Sequence, residues 1–87
     1  MIITTGDLKQ NYTVIDTIFA LGDNKEGFFS SASIDKAFDE VKEVLGKRCA
    51  SLGGDAVINC RFEHRIATDG KKRVIEILAY GTAVKLA

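Results

Sequence analysis

Hydrophobic residues recur at three- and four-residue steps through residues 34–52, at Ile34, Ala37, Phe38, Val41, Val44, Leu45, Ala50 and Leu52. That spacing lines one side of an α-helix. Asp35, Lys36, Asp39, Glu40, Lys42, Glu43, Lys47 and Arg48 fill most of the rest, acids early and bases late, which suits the helix dipole. Asp39–Lys42 and Glu43–Lys47 are opposite-charge pairs that offset the like pair Asp39–Glu43. Ser33 is placed to cap the first turn, although Lys36 stands where a capping-box Glu would be. Gly53 suits the left-handed position just past the helix, and Gly54 frees the next bond. Gly46 inside the helix costs about 1 kcal/mol relative to Ala and is read as a close packing contact.

Elsewhere the period changes to two. Ile2 and Ile3 begin a short β-prone run that ends at Gly6-Asp7. Residues 12–21, YTVIDTIFAL, form the first long predicted strand, rich in β-branched and aromatic residues. Residues 22–27 read as a surface loop, and Phe28-Phe29 as a connection folded back onto apolar surface. Residues 56–67 alternate: Ala56, Ile58, Cys60, Phe62 and Ile66 on one face, Val57, Asn59, Arg61, Glu63 and Arg65 on the other. A hairpin turn built on Asp69-Gly70 follows. In the last strand, residues 73–86, Ile75, Ile77, Ala79, Gly81 and Ala83 share a face narrow enough for a helix to lie close.

The opposite face of that strand carries Val74, Leu78, Tyr80, Val84 and Leu86, so it is apolar on both sides. Val14 and Ile18 suggest the same for the first strand. A sheet with one helix should leave a polar face to water. One helix covers one side only. The expected cover for the other is a second copy of the chain, so a homo-oligomer is predicted.

At 87 residues the chain is read as a single α+β domain, residues 1–87, with a thin core of its own. Its formal net charge of +0 offers no case for nucleic acid or an anionic membrane as partner. No apolar run approaches the roughly 20 residues of a membrane span, and the first ten residues lack a signal peptide's pattern, so a cytoplasmic location is expected. In a reducing compartment Cys49 and Cys60 should be free thiols.

The start MIITT, the glycine stop, Gly54-Asp55-Ala56-Val57-Ile58, Arg61-Phe62 and the closing Tyr80-Gly81-Thr82-Ala83-Val84 resemble the YbjQ-like family, whose label refers to heavy-metal binding. The resemblance spans nearly the whole chain. It implies a dodecin-like β-α-β-β fold, an antiparallel sheet with one helix across it, assembled into a ring, typically a pentamer. Longer members carry an extra segment before the helix's end that is absent here, so nothing residing there carries over. Short members resembling this one include archaeal selenium-binding proteins, in which a strand cysteine holds the selenium. Cys60, after Ile58-Asn59, looks like that position.

Each candidate has a plainer reading beside it. Cys60 is either the contact for selenium or a thiophilic heavy metal, or a small core residue on an apolar face. Cys60 and His64 look like a metal pair, but four residues along a strand span about 13 Å at about 3.3 Å per residue, and zinc holds its ligands at about 2.0–2.3 Å. Cys49 is read as core or boundary packing, and His64 as a strand-end surface residue. Asp16 and Asp35 have no recognisable partner, and no nucleophile–base arrangement emerges, so an enzyme is not expected. The basic tip Lys71-Lys72-Arg73 reads as a solvated turn, and Ser30-Ser31-Ala32-Ser33 as a capped helix end. Phe62 and Tyr80 are candidates for lining a small-molecule pocket between subunits. The leading expectation is a non-enzymatic, homo-oligomeric carrier of a soft element through Cys60. The alternative is a structural or interaction ring with no bound element.

Overall fold

The computed structural model describes residues 1–25 and 34–87. Its elements are β1 (Ile2–Ile3), β2 (Tyr12–Lys25), α1 (Ile34–Ser51), β3 (Ala56–Asp69) and β4 (Lys72–Leu86). The strands make one sheet in the order β1-β3-β4-β2, with α1 packed across one face. The expected β-α-β-β order is present as β2-α1-β3-β4. The sheet is mixed rather than antiparallel. β4 runs antiparallel to both β2 and β3, but β1 runs parallel to β3, with Ile2 opposite Ala56 and Ile3 opposite Val57. A two-residue run carries no local signal of which edge it joins, and this one takes the edge of β3.

The helix closes as its glycines dictate. Gly53 takes φ of 80°, its N–H donates to the Ala50 carbonyl at 3.0 Å, and the Gly54 N–H donates to the Cys49 carbonyl at 2.9 Å. This is a Schellman stop, and it satisfies carbonyls that the helix end would leave bare. The proposed cap at Ser33, the fold-back of Phe28-Phe29 and the serine-rich helix entry lie outside the described residues.

Residues 22–25, expected in a loop, continue β2 instead, with Gly22 opposite Ile77 and Lys25 opposite Val74. Gly22 is the reason the helix fits here. A Cβ at that position would lie 2.9 Å from the Ala37 carbonyl oxygen and 3.0 Å from Val41 Cβ, so the helix backbone rests directly on the strand. The hairpin between β3 and β4 has Asp69 opposite Lys72, leaving Gly70-Lys71 as the two-residue loop. Gly70, with φ of 66°, is its first central residue, the type II′ arrangement.

Two β-bulges reset the alternation. In β2, Val14 pairs with Val84 and Asp16 with Ala83, so Ile15 is extra. In β3, Ile58 pairs with Thr82 and Arg61 with Tyr80, so two residues, Asn59 and Cys60, face Gly81 alone. Asn59 adopts φ of 52°, the left-handed region that Asn tolerates better than most residues. An extra residue moves everything beyond it to the other face. Val14 and Ile18 therefore do not share a face: Val14 is exposed and Ile18 is core. Likewise Ala56 and Ile58 do not share a face with Cys60 and Phe62. Val57 does, and it joins Cys60 in the layer beneath the helix.

That layer is the main core. Ala37, Val41, Leu45 and Cys49, each four residues apart, pack on Ile18, Ala20, Val57, Cys60, Ile77, Ala79 and Ala83. The four-residue step keeps this stripe narrow, so Ile34, Ala50 and Leu52 fall outside it and are exposed. Phe38 and Phe62 close one margin edge-to-face, with ring centroids 5.6 Å apart. A smaller cluster lies on the other side of the sheet. Ala56, Ile58 and Val84 are covered there by Leu8 and Tyr12 from the chain's own N-terminal segment. Tyr12 OH donates to Asp7 Oδ1 at 2.8 Å, which pins that segment, lowers the Asp7 pKa and raises that of Tyr12.

The glycines separate by what a side chain would meet. At Gly46 a Cβ would touch Ile3 Cδ1 at 3.5 Å, an ordinary contact. Gly46→Ala should therefore stabilise the fold by up to about 1 kcal/mol through helix propensity. Gly22→Ala should destabilise it by about 1–3 kcal/mol by overpacking. Urea unfolding of the two variants beside the parent checks both signs.

Candidate functional site

Cys60 reaches its position through the β3 bulge. The left-handed turn of the backbone at Asn59 points the thiol toward the helix, and it settles over Gly81. A Cβ on Gly81 would stand 2.8 Å from Cys60 Sγ, 2.9 Å from Val57 Cγ1 and 3.2 Å from the Ile58 carbonyl oxygen, so the missing side chain is what makes room for the sulfur. Cys60 is fully buried, with its thiol 3.9 Å from the Val57 carbonyl. Cys49 is also fully buried, and donates to the Ala56 carbonyl at 3.4 Å. The expectation of core packing for Cys49 holds. Both cysteines are free thiols.

Burial pushes the pKa of both thiols up, because the thiolate loses its hydration. A soft element bonds the thiolate, so both sulfurs are held in their less reactive form. His64, four residues along from Cys60, is exposed. Arg61 and Arg65 lie on the far face, and Arg65 Nη2 is paired with Glu76 Oε2 at 3.0 Å. Neither arginine stands beside the thiol as the counter-charge that would lower its pKa. Among the described residues no group of three or more His, Cys, Asp or Glu side chains is gathered for a metal ion.

The second feature is the face of the sheet away from the helix. Beyond the stretch covered by Leu8 and Tyr12, it presents Phe19, Leu21, Leu78 and Tyr80, from 39% exposed at Tyr80 to 61% at Leu21. Register makes this one strip: Phe19 sits opposite Tyr80 and Leu21 opposite Leu78 on neighbouring strands. Arg61, Glu63 and Arg65 of β3 flank it. The sequence identified Leu78 and Tyr80 on this face but not Phe19 and Leu21. Their place depends on the β2 bulge at Ile15, which pairing across the sheet reveals and the alternation along the chain does not.

Tyr80 and Phe62, proposed together as pocket residues, lie on opposite faces. Tyr80 is opposite Arg61, and the next residue along β3, Phe62, turns toward Phe38 of the helix. Among the described residues the two therefore cannot line one pocket within a subunit. Two grooves flank the helix instead. One, of about 690 Å³, lies between β1 and the N-terminal half of α1 and includes Asp35, Phe38, Asp39 and Phe62. The other, of about 360 Å³, lies between β2 and the last turns of α1 and includes Phe19, Arg48 and Leu52.

The buried thiols set a pH dependence. In the unfolded chain a thiol ionises near about pH 8.5; in the fold its pKa is higher. The fold therefore binds more protons above that pH. The stability linked to the neutral thiols is fully present below the unfolded pKa and is lost as pH rises through the folded one. Stability should fall on the alkaline side, and Cys49→Ala/Cys60→Ala should flatten that fall. Urea midpoints measured from pH 7 to 10 check it.

Among solved structures, the chain matches a crystallised protein of unknown function from Pediococcus pentosaceus, assigned to the DUF74 family, with a TM-score of 0.82 and 25% identity. That match covers 100% of this chain and 98% of the other. A UPF0145 protein of Natronomonas pharaonis is 41% identical over 56 residues, 64% of this chain and 51% of the relative. The chain thus matches about half the length of that relative. Residues 29–87, from the approach to the helix through the last strand, match the model of the YbjQ family, described as "Putative heavy-metal-binding". The glycine stop, the strand leaving it and the closing Gly81-Thr82-Ala83-Val84 all fall within the match, and the chain belongs to this family.

Proposed function

We propose that this protein is a non-enzymatic, self-associating binding subunit whose copies meet through the open sheet face. One observation carries the reading: Phe19, Leu21, Leu78 and Tyr80 form a contiguous apolar strip with no cover from the described residues of their own chain. These four side chains are 39–61% exposed, so completing their burial would return roughly half of the about 1.5–3 kcal/mol that burying a whole apolar side chain gives. The charged flank of Arg61, Glu63 and Arg65 gives the strip a polar rim, the usual anatomy of a contact surface. A closed ring, the pentamer that the family resemblance implies, is the form of assembly proposed. The dodecin-like arrangement and a cytoplasmic setting belong to the same proposal.

The soft-element role belongs to the same reading at a second site. Two observations favour it: the family's heavy-metal description, and a thiol in Cys60 held at a fixed place by a strained bulge and a matching glycine. For Cys60 to take selenium or a thiophilic metal, the helix must lift from the sheet enough to admit it, since the sulfur is buried as it stands. The alternative, a structural or interaction ring with no bound element, needs no such opening, and the burial of Cys60 favours it.

Leu78→Asp should convert the assembly to monomer in sedimentation velocity while far-UV circular dichroism stays unchanged. A parent chain that is monomeric at every concentration would remove the self-association reading. Elemental mass spectrometry on the parent and on Cys60→Ala separates the two roles of the thiol. About one selenium or metal atom per chain, lost in the variant, supports the carrier. A parent that takes up nothing from added selenite or thiophilic metal leaves Cys60 as core.

A further inference from the structure

The thiol of Cys60 is enclosed from more than one direction, and the helix is only part of the cover. On its flank runs the start of the chain. The Cys60 N–H donates to the Thr4 carbonyl at 3.0 Å, the Asn59 N–H to the Gly6 carbonyl at 3.0 Å, and the Thr4 N–H to the Val57 carbonyl at 2.9 Å. Residues 4–6 are thus bonded to both residues of the bulge. The Thr4 N–H also acts on the sulfur itself: burial pushes the Cys60 pKa up, and this amide offsets part of the push. The backbone at Thr4 is therefore the sulfur's neighbour on the β1 side.

This cover is lightly held. β1 is two residues long and pairs in parallel, the slightly weaker mode per residue. Met1 and Ile2 are exposed, and Ile3 is the side chain of β1 that packs against the main core. Ile3 meets the helix at Gly46, where its Cδ1 lies 3.5 Å from the place a Cβ would take, so the helix offers it no side chain there. Solvent already reaches the outer wall. The groove of about 690 Å³ is lined by Ile3, Thr4 and Thr5 on one side and by Phe38 and Phe62 on the other. Phe62 lies two residues beyond Cys60 on the same face, yet Cys60 is fully shut off. Further along, Leu8 and the Asp7–Tyr12 hydrogen bond fix the chain to the opposite face of the sheet. That anchor lets residues 1–6 swing away while the chain beyond them stays in place.

We propose that residues 1–6 are a latch over Cys60, and that their release from β3 is the step that admits a soft electrophile or a thiophilic ion to the thiol. The proposal rests on the soft-element reading of Cys60 and gives it an entry. The helix cannot part from β3 on this flank while Ile3 is seated against Gly46. Release breaks the bonds of one short edge segment and one apolar contact, the kind of local opening that leaves the rest of a fold intact. Cys49 has no such door. Its sulfur lies against Gly54, Ala56 and Val84, none of them in the latch.

Maleimide labelling of the native protein, read cysteine by cysteine by peptide mass spectrometry, tests the latch without any bound element. In the parent chain Cys60 should react faster than Cys49, at a rate almost unchanged by low urea, because its opening exposes little surface. Ile3→Ala removes the apolar contact and Thr4→Pro removes the N–H. Each should speed Cys60 by roughly tenfold and leave Cys49 unchanged. Two thiols that react together, with the steep urea dependence of global unfolding, overturn the latch. So does a Cys60 rate that neither substitution moves, or that rises no more than that of Cys49. The parent measurement needs no substitution, so it decides the matter even where a variant folds poorly. Element uptake is read separately. Fast, latch-controlled labelling with no uptake of selenite or thiophilic metal keeps the latch and removes the carrier. Uptake with labelling indifferent to both substitutions keeps the carrier and removes the latch.

Discussion

The helix lies on the sheet with almost nothing between them, and the rest of the molecule follows from that contact. Gly22 lets the Ala37 carbonyl sit against β2, Gly54 makes room for Cys49, and Gly81 makes room for Cys60. Ala79 and Ala83 keep the neighbouring rungs of β4 low. With so short a distance to span, the helix contributes a narrow stripe of small and medium residues, Ala37, Val41, Leu45 and Cys49, rather than a broad face. Close packing of this kind tolerates little change of volume, because interiors are already as dense as organic crystals.

The same contact explains the state of the thiols. A sulfur enclosed between a helix and the missing side chain of a glycine loses its hydration, and its pKa rises. Both cysteines are therefore quiet in the closed fold. The bulge at Asn59 is what brings Cys60 into this layer, and without that extra residue the thiol would share the face of Ala56 and Ile58. Family membership and the thiol's placement bear on heavy-metal chemistry in different ways. The first raises the question, and the second states what must move before Cys60 can answer it.

A single layer of helix leaves the second face of the sheet to other means. The N-terminal segment covers one end of it with Leu8 and Tyr12, and the remainder is a strip of apolar side chains from β2 and β4. The molecule is elongated, 49 × 20 × 17 Å. No described helix is long and apolar enough to cross a membrane. The proposed self-association is the economical way for such a chain to complete its burial.

Much of this was legible in the sequence. Periodicity alone located the helix, its stop at Gly53, the hairpin at Gly70 and the apolar second face of the last strand, because each is a local consequence of side-chain spacing or of backbone freedom at a glycine. The parallel pairing of Ile2–Ile3, the continuation of β2 to Lys25 and the two bulges were not legible. Each depends on what lies across a hydrogen bond rather than along the chain. One extra residue at Ile15 or Asn59 is invisible to an alternation count, yet it reverses every side chain beyond it. The sequence by itself determined which residues were available to be buried. Only the tertiary structure decided which of them face the helix, which face outward, and that Cys60 is among those enclosed, since that choice is made by pairing register and by the few ångströms that glycines leave open between the layers.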